Sequence, residues 1–284
     1  AVFEVERPTT VEEVNSFFGG HWYLLLPKPV YFTHPREPSG KPFVENDPAY
    51  GQVYNLSSAK DALEMVNRED GVMWTAHPRT KSSEGYPEDY KDKDFFLSDR
   101  FIGASWEALP VDMSEKGLCE VRCFGTGDDM SNWAPKPKFM IAEGDTYMKS
   151  PEDETYPQMA VNYLKLDRVP AFNESWAPVT DALRAGNFFG TTGEILFHNW
   201  HVSGSGDKRT FTAEVEYTYP LDFAELVWSD GNKVGRQIVS LKDTVAFGTH
   251  KLSIPFDSTG KKWVRLAIWD VADDGAWVQP VALK

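Results

Sequence analysis

The sequence predicts an α/β domain followed by an all-β sandwich, and three observations carry that reading. Residues 57–70 have helical periodicity and lead at once into the apolar run Val72-Met73-Trp74-Thr75-Ala76, the helix-then-strand order of an α/β unit. Beyond residue 191 the pattern changes to short alternating segments at 210–219, 223–228, 236–241, 250–256, 263–269 and 277–283, separated by turns such as Ser229-Asp230-Gly231-Asn232 and Ser258-Thr259-Gly260. Strands at that spacing with no helix among them read as a sandwich. The chain of 284 residues, 41% hydrophobic and 25% charged, is long enough to fill two cores, which we place at 1–190 and 191–284.

In chain order, Ala1-Val2-Phe3-Glu4-Val5 reads as the middle of a strand, and leads us to expect an upstream portion of a longer polypeptide. The helix at 57–70 has Ser58 and Asp61 as a capping box and Ala59, Leu63 and Val66 on one face. The strand behind it ends in His77-Pro78-Arg79, where proline stops the strand and leaves an imidazole at its carboxyl end. A long loop at 80–94 and apolar segments at 101–109 and 138–142 follow, and loops of such length usually carry function. Leu118-Cys119-Glu120-Val121-Arg122-Cys123-Phe124 alternates like a strand, which would hold its two cysteines roughly 13 Å apart as free thiols. A second helix is expected at 176–185, with Pro178 in its first turn and Gly186 as its stop.

A net charge of -14 and a pI near 4.9 argue against nucleic acid or an anionic membrane as the main partner. No run of 18 apolar residues is present. An acidic, tryptophan-rich chain with a sandwich suits a periplasmic or extracellular protein, with cytoplasmic residence as the alternative.

The residues that point to chemistry are Glu13, His21, His77 and Asp145. Each stands at the edge of an apolar segment or a turn, and a catalytic metal needs several His and carboxylate ligands converging from separate strands. Arg79, Lys81 and Arg36, with Lys41, stand in loops nearby and are suited to an anionic substrate. Other groups read as structural. His198 and His201 belong to a sandwich edge, Asp128-Asp129 with Asn132 to a loop cap, and the tryptophans at 228, 263, 269 and 277 to the sandwich core.

The string Glu12-Glu13-Val14-Asn15 with Gly19-Gly20-His21-Trp22, then Ala76-His77-Pro78 and Glu143-Gly144-Asp145, resembles in its order the later ligand series of the PHP (polymerase and histidinol phosphatase) metal-dependent hydrolases. The stretch 181–193 and the β-segment 224–231 add a likeness to members in which a sandwich follows the barrel. The resemblance implies a partial, distorted α/β barrel and divalent metal ions (zinc, manganese or iron) that activate a water for attack on a phosphoester or related ester. It implies Glu13, or Glu12 in its place, His21, His77 and Asp145 as ligands, and a small anionic ester as substrate. Two departures stand out: the family's opening His-x-His pair has no counterpart, so an upstream segment or second chain would have to complete the site, and Asp145-Thr146-Tyr147 lacks the family's late histidine. The alternative is a non-catalytic module binding carbohydrate or protein on a degenerate scaffold.

Overall fold

The computed structural model describes residues 2–4, 7–9, 11–15, 21–34, 40–79, 87–106, 122–143 and 160–283. Among them are twenty strands and four α-helices, and this corrects the expected fold class. A parallel barrel needs a helical crossover after each strand. Here β3 (Val11–Asn15), β4 (His21–Leu25) and β8 (Val72–Ala76) are antiparallel neighbours, and the sheets are several and predominantly β. Two units divide the chain, Ala1–Ala104 with Leu164–Asn187, and Ser105–Tyr163 with Phe188–Lys284.

The first unit holds one mixed sheet and strands of another. One runs in the order β2-β1-β5-β7-β6, from β1 (Val2–Glu4), β2 (Arg7–Thr9), β5 (Val30–Thr33), β6 (Val44–Asp47) and β7 (Gly51–Asn55). The other contains β3, β4, β8 and β9 (Phe101–Trp106) as neighbours in that order. The predicted helix forms at Ala59–Arg68, and Ser58 is its N-cap, accepting the Asp61 N–H. Asp61 reaches back to the Ser57 N–H at 3.0 Å, a box with its return bond shifted by one residue. The helix buries Ala62, Met65 and Val66, one step round from the face read in the sequence. Beyond its C-terminus Glu69, 8% exposed, accepts the Tyr54 hydroxyl at 2.5 Å and the Lys28 ammonium at 2.8 Å. The second predicted helix forms at Ala177–Arg184 with proline in its first turn, and Gly186 beyond it takes φ +69, as the stop requires.

In the second unit one sheet runs β11-β12-β19-β18-β15-β16, with β20 on β18, and another β13-β14-β17. This unit also holds β10 (Phe139–Ala142), which belongs to neither sheet; their strands are β11 (Val161–Leu164), β12 (Phe188–Thr191), β13 (Ile195–Ser205), β14 (Lys208–Tyr217), β15 (Leu221–Ser229), β16 (Val234–Ser240), β17 (Gly248–Asp257), β18 (Trp263–Asp270), β19 (Gly275–Val278) and β20 (Val281–Ala282). One apolar core serves both sheets, with Phe211 and Val215 of β14, Leu252 and Ile254 of β17, Leu226 of β15 and Leu266 of β18 among its residues. Strand alternation puts the other half of β18 on the opposite face. Trp263 and Trp269, and with them Trp277 of β19, are therefore buried not in that core but against the helix Arg122–Trp133. Phe124 meets Trp269 and Trp277 edge-on, and Trp263 Nε1 donates to Asn132 Oδ1 at 3.0 Å.

That helix corrects two further expectations. The cysteine segment becomes helical at its described end, from Arg122, because the residues after it recur at helical spacing; Cys119 lies outside the described residues. Asp128 is no loop cap. It sits buried on the helix and accepts both Nε and an Nη of the fully buried Arg265, each at 2.8 Å.

Candidate functional site

Two of the four residues expected to bind metal come together in the first unit. β8 is buried along its whole length, with Thr75 the hydroxyl-bearing side chain within it, and the residue that follows its end is His77. It takes φ +34, and Arg79 takes φ +62. L-residues rarely adopt that region, and holding one there costs on the order of 1–3 kcal/mol. Surrounding contacts must fix the turn around Pro78. β4 runs antiparallel to β8 with Trp22 opposite Thr75, so the first residue of β4, His21, lies beside the last of β8. Thr75 Oγ1 donates to the His21 carbonyl at 3.3 Å and ties the two strand ends.

The imidazoles meet as a consequence. His77 Nε2 stands 3.3 Å from His21 Nδ1, with ring centroids 5.1 Å apart and planes at 75°. His77 is 5% exposed and His21 half-buried. The separation is that of a long N–H···N hydrogen bond, which one ring donates to the other according to its tautomer. It equals the span of two nitrogens on a tetrahedral ion with bonds of 2.0–2.1 Å, about 3.3–3.4 Å. Neutral imidazole pairs suit zinc, iron, copper or nickel, so the donor set fits the group expected from the sequence.

Glu13 lies on β3 opposite Tyr23, two positions from Asn15, which stands opposite His21; Glu12 stands opposite Leu24. Asp145, Lys81 and Arg36 lie outside the described residues. Arg79 is engaged within the protein, with its Nε donating to Glu88 at 2.7 Å, and Lys41 pairs with Glu45 at 2.8 Å. Among the described residues no three His, Cys, Asp or Glu side chains are grouped to hold a metal, so the histidines form a pair. Sequence reasoning missed Thr75, whose signal was a hydroxyl inside an otherwise apolar run.

In the second unit, the sheet β13-β14-β17 bears a groove of about 240 Å³ in which Asn199, His201, Thr212, Glu214 and Lys251 stand beside Ala213 and Leu252. His201 meets the Thr212 hydroxyl at 3.0 Å and His198 meets Glu216 at 2.9 Å. Both imidazoles are exposed because a shift of register between Phe197 and Asn199 breaks the alternation that would otherwise turn one of them inward. In comparisons with known proteins, the chain has no significant match to any family model, curated protein or solved structure.

Proposed function

We propose that this chain binds a divalent transition metal through His21 Nδ1 and His77 Nε2 and uses it to hydrolyse an anionic ester. The observation that carries the reading is the 3.3 Å between those nitrogens, held by a strained turn on one side and by the β4–β8 register on the other. When bound, such an ion lowers the pKa of water toward about 7 and so supplies a nucleophile at neutral pH. The protein's part is to fix both imidazoles at strand ends, to keep His77 nearly dry, and to leave further positions for other ligands and substrate. Competition titration of the full chain with a chromogenic chelator should find zinc binding that His21→Ala and His77→Ala each weaken by about ten- to a hundredfold. A screen of phosphomonoesters and phosphodiesters should find metal-stimulated turnover in the wild type only; equal turnover in His77→Ala dismisses the hydrolase.

A second reading rests on the groove of the second unit. Its lining sets the polar groups of Asn199, His201 and Thr212 beside Ala213 and Leu252, which suits a glycan, whose hydroxyls surround apolar ring faces. Glycan binding that survives chelator and is lost in His201→Ala and Lys251→Ala would favour a binding module over the enzyme.

A further inference from the structure

The turn 271–274 joins β18 to β19, with Asp270 just before it and Asp273 and Asp274 within it; Glu194 lies on the connection leading into β13. Asp270 is 3% exposed. Its Oδ1 accepts the backbone N–H of Ala272 at 2.8 Å and of Asp274 at 3.1 Å. Its Oδ2 is fully buried with no hydrogen-bond partner among the described residues. Burying a carboxylate oxygen without a donor is costly, and native proteins rarely leave one so.

The charges acting on this group deepen the problem. Burial, joined by the negative charges of Asp274 and Glu194, pushes the Asp270 carboxyl up to about 6. Burial also raises Asp274, with Glu194 and Asp273 adding to it, although the Thr192 hydroxyl donates to Asp274 Oδ1 at 2.8 Å. Thr192 fastens the two segments together, its Oγ1 accepting the Gly275 N–H at 2.8 Å and its N–H donating to the Gly275 carbonyl at 2.9 Å. Thr192 thus holds Asp274 against the connection that carries Glu194, and Asp270 Oδ2 meets no donor among the described residues.

We propose that Asp270 Oδ2 and the Asp274 carboxylate, with the charge of Glu194 beside them, form a site for a hard divalent cation, calcium or magnesium. Every donor in the group is oxygen, which suits these ions and sets the site apart from the imidazole pair of the first unit. Three metal-binding side chains are not gathered in one cage among the described residues, so backbone carbonyls and water complete the shell, as calcium in particular accepts. The ion would neutralise a buried charge at the end of the shared core and strengthen the fastening of 192–194 to 271–275.

The test is calorimetric titration of the full chain at neutral pH with calcium chloride and, separately, magnesium chloride. One ion should bind per chain, saturating at or below about 1 mM, and the thermal midpoint should rise with ion concentration. The ion that saturates at the lower concentration is the one the site fits. Asp270→Asn and Asp274→Asn should each weaken binding at least about tenfold, Glu194→Gln by less, while Asp167→Asn, an exposed acid of the other unit, leaves it unchanged. Should Asp270→Asn fail to fold, Asp274→Asn and Glu194→Gln decide the matter. Absence of saturable binding of either ion up to about 10 mM, or wild-type affinity in Asp274→Asn, overturns the proposal.

Discussion

At the scale of single residues, what a side chain does here depends on the backbone that presents it. His77 reaches His21 because the chain leaves β8 through two residues of positive φ around Pro78, a conformation maintained against its own cost. The Tyr54–Glu69–Lys28 group is another polar assembly of the first unit, buried at Tyr54 and Glu69. Burial raises the Glu69 carboxyl, but hydrogen bonds from Lys28 and Tyr54 together outweigh it and leave the group below its ordinary range. Burial, helped by the neighbouring Glu69, pushes the Tyr54 phenol up to about 12. The signs follow. With a depressed folded pKa, Glu69 contributes stability that is present above its unfolded value near about 4.3 and lost as pH falls below it. With a raised folded pKa, Tyr54 contributes stability that is present below about 10 and lost as pH climbs through about 12. Tyr54→Phe should cost about 1–2 kcal/mol at neutral pH and flatten the loss on the alkaline side. Urea denaturation across pH measures both.

At the scale of elements, the helix Arg122–Trp133 shows how tertiary context overrides local pattern. Cys119 to Phe124 alternates, but Phe124, Asp128 and Asn132 recur at helical spacing, and each has a partner on the seven-stranded sheet: Trp269 and Trp277, Arg265, and Trp263. That stripe was visible in the sequence only to a reader who knew what faced it. Asp128→Ala would leave a buried guanidinium without its main partner and should destabilise by about 3–5 kcal/mol, seen in thermal denaturation. By contrast Ser58→Ala removes one cap bond and should cost about 1 kcal/mol. Gly275 has a different constraint, since an added Cβ would lie 1.9 Å from the Trp269 ring. Trp269 is buried and cannot swing away, so Gly275→Ala should destabilise by at least about 1–3 kcal/mol.

Over the whole molecule, what the sequence made legible is what depends on near neighbours. The helices Ala59–Arg68 and Ala177–Arg184, with the cap of the first and the stop of the second, and the strands from β14 to β18 follow from period and turn chemistry, which act over a few residues. β13 was missed because the bulge after Phe197 breaks its alternation, and β12 because all four of its residues are buried and show none. Sheet order is non-local: β1, β5 and β7 are parallel neighbours, while β3, β4 and β8 alternate in direction, and no local pattern separates such sheets from a barrel. His21 and His77 were both candidates, but they stand 56 positions apart in the chain. Their meeting depends on the β4–β8 register, which the sequence does not state.

X-ray absorption spectroscopy of the zinc-loaded full chain tests that meeting most directly. The account predicts two imidazole nitrogens at about 2.0–2.1 Å from zinc, with one of them lost in His77→Ala. A spectrum free of imidazole scattering, or one that His77→Ala leaves unchanged, would contradict it.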